Sequence, residues 1–258
     1  MPTWSSRRKA PDRASIPIST ASSPSSWEPE SMAGCGSGRS RRSPTRAAGA
    51  TTWSTDDYDW RDGIGDPAKR PVRLNRWWGG VPETNRVGTH EFMDLAEQLG
   101  AEVVIAGNMG SMPPRDMSQW LEYMTATGPS ALTDERRRNG RDKPWKVKYI
   151  GVGNESWGCG GNMRPEYQAD LHNRYATFLN GGALRIASGD GTGNDHLIDV
   201  LMERSIGQMD ALTLHYYTIP GNWSKKGSAT GFDAGEWAHT LKLARGIEGR
   251  IEAIETVM

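Results

Sequence analysis

The sequence predicts an α/β fold built on a parallel sheet. Short β-branched stretches alternate four times with stretches of helical periodicity, the pattern of right-handed crossovers between parallel strands. The conspicuous polar residues Asn108, Glu155, Asp190 and His215 to Tyr217 each fall just after one of those strands. Parallel α/β folds gather ligands and chemistry at that edge, and an eight-stranded α/β barrel keeps its active site there. At 258 residues and zero net charge, the chain is long enough for one large domain.

The elements follow in order. Residues 1–50 hold eight Lys/Arg against three Asp/Glu, which leaves 23 against 28 for the remainder. They are dominated by Ser, Arg, Pro, Ala and Gly, with no apolar period, so the stretch 1–55 is expected to be disordered or non-native. It is too rich in Ser and Pro for a nucleic-acid tail, lacks the amphipathic helix of a transit peptide, and has no apolar core for a secretory signal. Its composition resembles a GC-rich gene read out of frame.

From residue 56 the alternation begins. Thr89 is expected to cap a helix with Phe92, Leu95, Ala96 and Leu99 on its inner face and Gly100 at its end. A strand over Val103–Ala106 follows, then a helix with Met117, Trp120, Leu121 and Met124 inward. Arg136 to Arg138 read as a solvated face in the next connection. A strand over 147–152 leads to a helix opened by Pro165, with Tyr167, Leu171, Tyr175 and Phe178 inward. A strand from Leu184 to Ala187, a helix from Leu197 to Met202, a strand from Ala211 to His215 and a helix from about Ala234 complete the series.

Composition narrows the function classes. No apolar run is long enough to cross a membrane, so no membrane partner is expected. Cys35 and Cys159 are the only cysteines, which implies no disulfide framework and favours a reducing compartment. Cys159 reads as a small packing residue, as do Met109, Met112 and Met117. Eleven Trp against three Phe is unusual; indoles stack on sugar rings, but they also fill cores.

The chemistry concentrates in the stretch from Tyr149 to Pro165. A buried strand breaks at Gly153 and is followed at once by Asn154 and Glu155. An amide and a carboxyl at a strand end suit a sugar-hydrolysing site: the carboxyl exchanges a proton with a glycosidic oxygen while the amide holds a ring hydroxyl. The segment Gly153-Asn154-Glu155-Ser156-Trp157-Gly158-Cys159-Gly160-Gly161 resembles the acid/base segment of glycoside hydrolase family 51, the α-L-arabinofuranosidases. Tyr58 to Gly65, Asn75-Arg76-Trp77-Trp78, Glu83 to Phe92 and Leu214 to Tyr217 are similar to further motifs of that family, in its order.

The resemblance implies a (β/α)8 TIM barrel and a retaining glycosidase that releases terminal α-L-arabinofuranosyl residues from arabinose-containing oligosaccharides or polysaccharides. Such enzymes set two carboxyl groups roughly 5 Å apart, one as acid/base and one as nucleophile. Glu155 matches the acid/base, whose task calls for a raised pKa. Asn154 would hold a sugar hydroxyl, with Tyr217 and His215 also on the substrate side, while Asn162 and Arg164 are scaffold. No cofactor or metal, no nucleic acid, a cytoplasmic location and a homo-oligomeric full-length enzyme are the further expectations.

The departures from the family count as much. The nucleophile motif, a Glu in a Val-Asp-Glu-Trp-Gly-like segment, has no match. Glu236-Trp237 looks similar but sits in a helical pattern. The Gly-Gly-Asn turn that the family carries before the position of Tyr58 is missing too, although the codons of Gly49 to Ser54, read one frame over, permit Gly-Asn-Asn-Val-Val. The chain is therefore expected to form an incomplete barrel over residues 56–258, without the C-terminal β-sandwich and without its nucleophile. Another retaining glycosidase on the same barrel, xylanase-like or β-glycosidase-like, is the alternative in the same class. An inactive remnant is the alternative outside it.

Overall fold

A computed structural model of the chain describes residues 47–50, 57–76, 79–191, 193 and 195–258. Trp77, Trp78 and most of the stretch expected to lack structure lie outside the described residues. Ala47–Ala50, inside that stretch, form strand β1. They pair parallel with β4 (Glu102–Gly107). Small residues carry no apolar period, so hydropathy could not reveal this strand.

Five parallel strands make one sheet in the order β1, β4, β5 (Tyr149–Val152), β6 (Leu184–Ala187) and β7 (Ala211–Leu212). Each neighbouring pair is parallel, so all five carboxyl ends lie along one edge. β4 and β5 are buried along nearly their whole length, as expected for strands covered on both faces. A short antiparallel hairpin, β2 (Arg73–Asn75) with β3 (Val81–Glu83), stands apart from the sheet.

Helix α1 spans Thr89–Leu99, α2 Pro114–Thr125 and α3 Ala131–Arg138. After β5 come α4 (Pro165–Ala176), α5 (Asp195–Ser205), α6 (Ala234–Ala244) and α7 (Gly246–Val257). Gly100 ends α1 at φ 61°, the left-handed cap the sequence anticipated. The start of α1 differs from expectation. Gly88 is the cap residue, and its N–H donates to Glu91 Oε2 at 2.8 Å, while the Thr89 hydroxyl accepts the Trp120 indole N–H at 3.0 Å. Arg70 reinforces this corner by gripping both oxygens of Glu91, at 2.8 and 2.9 Å.

The core has two main parts. Trp60, Met93, Val103, Ile105, Trp120, Leu121, Tyr123 and Met124 pack together with Trp145 and Ile150 on one side. Ala169, Ala187, Leu197, Ile198, Leu201, Leu212 and Ile254 pack on the other. Met109, Met117, Val152, Met163 and Tyr175 form a smaller cluster, so two of the three methionines read as packing residues are core. All four expected inner residues of α2 are buried.

Two helices present different faces from those expected. In α1 the buried residues are Thr89, Met93 and Ala96, while Leu95 and Leu99 are 51% and 64% exposed. In α4 the buried residues include Gln168, Ala169, His172 and Tyr175, and Tyr167 and Phe178 stay outside. The basic run is solvated only in part: it lies in α3, where Arg137 and Arg138 are exposed but Arg136 is fully buried. It donates to the Tyr123 carbonyl at 2.8 Å, so its charge lands on a main-chain oxygen at the end of α2. Hydropathy ranks residues by type, whereas the neighbouring element decides which arc of a helix is covered.

Candidate active site

The site forms where the loops after β5, β6 and β7 meet at the carboxyl edge of the sheet. Strand β5 delivers Gly153, Asn154 and Glu155 directly after Val152. The backbone turns sharply here, with Gly153 at φ 79° and Glu155 itself at φ 42°. A non-glycine residue in the left-handed region is strained, and such strain concentrates where a side chain must be aimed. The turn then closes on itself: the Glu155 carbonyl accepts the N–H of Gly158 at 2.7 Å and of Gly160 at 3.1 Å. Gly160 permits this wrap, because a Cβ there would stand 1.9 Å from the Asn154 carbonyl oxygen.

β6 lies between β5 and β7, so the loops after β5 and β7 must reach over it to touch. Glycine makes room for them. A Cβ at Gly189 would meet the Thr213 carbonyl oxygen at 2.0 Å, and one at Gly191 would meet His215 Cβ at 2.7 Å and Trp157 at 3.1 Å. Trp157 spans the same gap by donating its indole N–H to the Gly189 carbonyl at 3.1 Å, with its ring edge-on to His215.

The Glu155 carboxylate is held from three sides. Tyr217 donates its phenol to Oε1 at 2.8 Å, and His215 Nδ1 reaches the same oxygen at 3.0 Å. A carboxylate only accepts, so Nδ1 carries the proton in this contact. The opposite ring nitrogen, Nε2, contacts the Thr213 hydroxyl at 3.1 Å, and that hydroxyl also accepts the Gly189 N–H at 3.0 Å. On the other side, Cys159 Sγ lies 3.6 Å from Oε2. Tyr216 points elsewhere, its phenol donating to the Leu243 carbonyl at 2.7 Å. Alternation along an extended chain sends such neighbours to opposite sides.

The four sequence-derived site residues thus fare differently. Glu155 and Tyr217 meet at the strand edge and are partly open, the Glu155 side chain being 14% exposed. Asn154 is half-buried beside them, and its amide bonds no other described residue. His215 was expected on the substrate side, but its side chain is 1% exposed beneath the carboxylate. Trp157 packs edge-on against its ring, and His215 Nδ1 holds Glu155 Oε1. Thr213 carried no signal in the sequence, Trp157 stood only as part of the family-like segment, and Cys159, read as a packing residue, contacts the carboxylate. The signal for Cys159 was its position four residues beyond Glu155 in a glycine-rich turn.

The other strand-end polar residues serve structure. Asn108 accepts the N–H groups of Gly110 and Ser111 and donates to the Tyr58 carbonyl, which fixes the turn after β4. Asp190 is buried, takes the Gly193 N–H at 2.5 Å and pairs with Arg250 of α7 at 3.6 Å. Asn162 sits at φ 49° in the loop before α4, and Arg164 is the residue preceding that helix. Among the described residues, no group of three or more His, Cys, Asp or Glu is close enough to hold a metal ion.

The electrostatics run against one expectation. Burial pushes the Glu155 pKa up, but the hydrogen bonds from His215 and Tyr217, the His215 charge and the Cys159 thiol outweigh it. The net direction is below the ordinary glutamate value. Donors aimed at the ionised form stabilise it, and the leading influences include no second carboxylate to oppose them. In this arrangement Glu155 is an anion poised as an acceptor.

Comparison with known proteins adds independent observations. A family model described as the alpha-L-arabinofuranosidase 1 domain matches residues 48–228. An intracellular exo-alpha-L-arabinofuranosidase of Bacteroides ovatus is 48% identical over 207 residues, covering 79% of this chain and 40% of that protein. Among solved structures, the GH51 arabinofuranosidase from Xanthomonas axonopodis pv. citri is similar with a TM-score of 0.76 at 50% identity, over 79% of this chain and 42% of that one. An arabinose complex of the Thermotoga maritima α-L-arabinofuranosidase has a TM-score of 0.68 at 27% identity, over 79% and 40%. The chain thus spans about 40% of the length of these relatives.

Proposed function

The chain belongs to glycoside hydrolase family 51, the α-L-arabinofuranosidases, and on that footing we propose that it carries the acid/base half of a retaining arabinofuranosidase site. The observation that carries the reading is the Glu155 carboxyl, set at a strand end in a strained backbone and clasped through one oxygen by Tyr217 and His215. With Oε1 taken by two donors and Oε2 contacted only by the weak Cys159 thiol, Oε2 is assigned the proton exchange: as acid it must first be protonated, against the direction its donors set, and as base it takes a proton from water. Asn154, beside it, is assigned to a hydroxyl of the arabinofuranosyl ring.

The substrate class is a terminal arabinofuranosyl residue on an arabinose-containing glycan. The five parallel strands are read as an arc of a (β/α)8 barrel, supported by the likeness to family 51 structures. The partial catalytic barrel is assigned to residues 56–258, with β1 joined to its sheet. An intracellular location is inferred from the name of the Bacteroides ovatus relative. The nucleophile is not assigned to any residue of this chain. Glu236, the one superficial match, serves the first turn of α6, where its Oε2 accepts the Asp233 N–H at 3.0 Å.

The test is Glu155→Gln, made in this chain and at the matching position of a full-length relative. Arabinofuranosides with poor leaving groups should lose hydrolysis, whereas those with activated phenols should be spared in the first step. Added azide should then speed turnover by replacing the base-assisted water. Equal loss on both substrate types would remove Glu155 from the acid/base role.

A further inference from the structure

Of the eleven tryptophans, the structure describes six in detail, and it separates them by task. Trp60, Trp120 and Trp145 are core. Trp157 is half-buried and bonds across the loops of the site. Trp223 and Trp237 remain outside, at 62% and 53% exposed. Trp237 stacks on Phe232 and makes no ring contact with a described site residue. Trp223 does not: its ring meets the ring of Tyr217 at 5.0 Å between centroids and 68° between planes. Tyr217 in turn donates to Glu155. Trp223 is therefore two side chains out from the carboxylate, and it is the described exposed indole in ring contact with a site residue.

Chemistry fixes what belongs at that distance. A glycosidase acid gives its proton to the oxygen shared by the cleaved sugar and its leaving group, so the leaving group sits on the acid side of the site. In a glycan substrate the leaving group is a second sugar ring. Sugar rings present C–H faces that pack on an exposed indole, with hydroxyls at the rim for polar partners. The loop holding Trp223 supplies such partners. Lys225 and Lys226, close to it in the loop, are both exposed. Lys226 rests its ammonium 5.0 Å from the Trp223 ring centroid. An exposed contact of that kind is weak enough for a ligand to displace.

Resting on the glycosidase reading above, we propose that Trp223 and the loop from Thr218 to Asp233 form the leaving-group subsite, in which the indole supports the sugar ring next to the arabinofuranosyl residue. Substrate choice beyond the terminal arabinose is then set by this loop, while the terminal residue is recognised at Glu155 and Asn154.

The experiment measures binding by calorimetry, which requires no turnover. The probes are methyl α-L-arabinofuranoside and an arabinofuranosyl trisaccharide, titrated into the chain and its Trp223→Ala and Trp223→Phe variants. The parent should bind the trisaccharide more tightly than the monosaccharide. Trp223→Ala should weaken the trisaccharide about tenfold, with monosaccharide affinity unchanged, and Trp223→Phe should restore most of the loss. Unchanged melting would show that the exposed position leaves the fold intact. A trisaccharide affinity that ignores Trp223, or an equal loss for both probes, would overturn the subsite. So would a parent that gains nothing from the additional rings. Failure of the parent to bind even the monosaccharide would instead strike the glycosidase reading beneath it.

Discussion

Replacing Tyr217 by Phe removes the phenol that donates to Glu155 Oε1 at 2.8 Å and leaves the His215 and Cys159 contacts in place. A hydrogen bond to a charged acceptor contributes about 1.5–3 kcal/mol, and this carboxylate, with a side chain only 14% exposed, is little screened by solvent. The ionised form should lose stabilisation of about that size, so Glu155 should titrate at higher pH than in the parent. The consequence for folding has a definite sign. Burial raises the Glu155 pKa, but its donors bring the net value below the ordinary one. The carboxylate therefore adds stability that is present above the unfolded-state pKa and lost as pH falls through the folded-state value. Tyr217→Phe should shrink this acid-sensitive contribution. Tyr216→Phe is the control: it loses the bond to the Leu243 carbonyl and about 0.5–1.5 kcal/mol of stability, with no effect on Glu155. The assay is NMR titration of isotope-labelled glutamate carboxyls in the parent and both variants. If Tyr216→Phe moves the Glu155 titration and Tyr217→Phe leaves it alone, the placement of the two phenols is wrong.

Two further perturbations probe the scaffold. Burial pushes the His172 pKa down to about 4, while the unfolded chain takes up its proton near 6.5. Between those values the unfolded state binds more protons, so stability should fall as pH drops through that window. His172→Gln should flatten that part of a denaturation series run at stepped pH. Gly160→Ala drives a methyl group to 1.9 Å from the Asn154 carbonyl oxygen and should cost about 1–3 kcal/mol in a thermal melt. It should also raise the Glu155 titration by prising Cys159 from Oε2, whereas a melt unchanged from the parent would show that the turn has slack the structure does not suggest.

What the sequence determined by itself was local. Alternating periodicities set the order of strands and helices, and the four apolar positions of α2 were all placed inward correctly. Gly100 announced the end of α1 because only a left-handed residue closes that cap cheaply. Asn154 and Glu155 were legible because they directly follow a strand, and adjacency survives folding. Tertiary structure decided everything that depends on a neighbour distant in the chain. Leu95, Leu99, Tyr167 and Phe178 are apolar yet exposed, and Arg136 is charged yet buried, because the facing element selects which arc of a helix is covered. His215 and Tyr217 lie 60 and 62 residues from Glu155. They reach it only because β5, β6 and β7 run parallel side by side and glycines after β6 let the outer loops touch. The buried place of His215, the downward direction of the Glu155 pKa and the separation of Trp223 from the core tryptophans all follow from that register. A one-dimensional pattern records which side chains are available, but the sheet decides which of them share a dielectric, a hydrogen bond or a face.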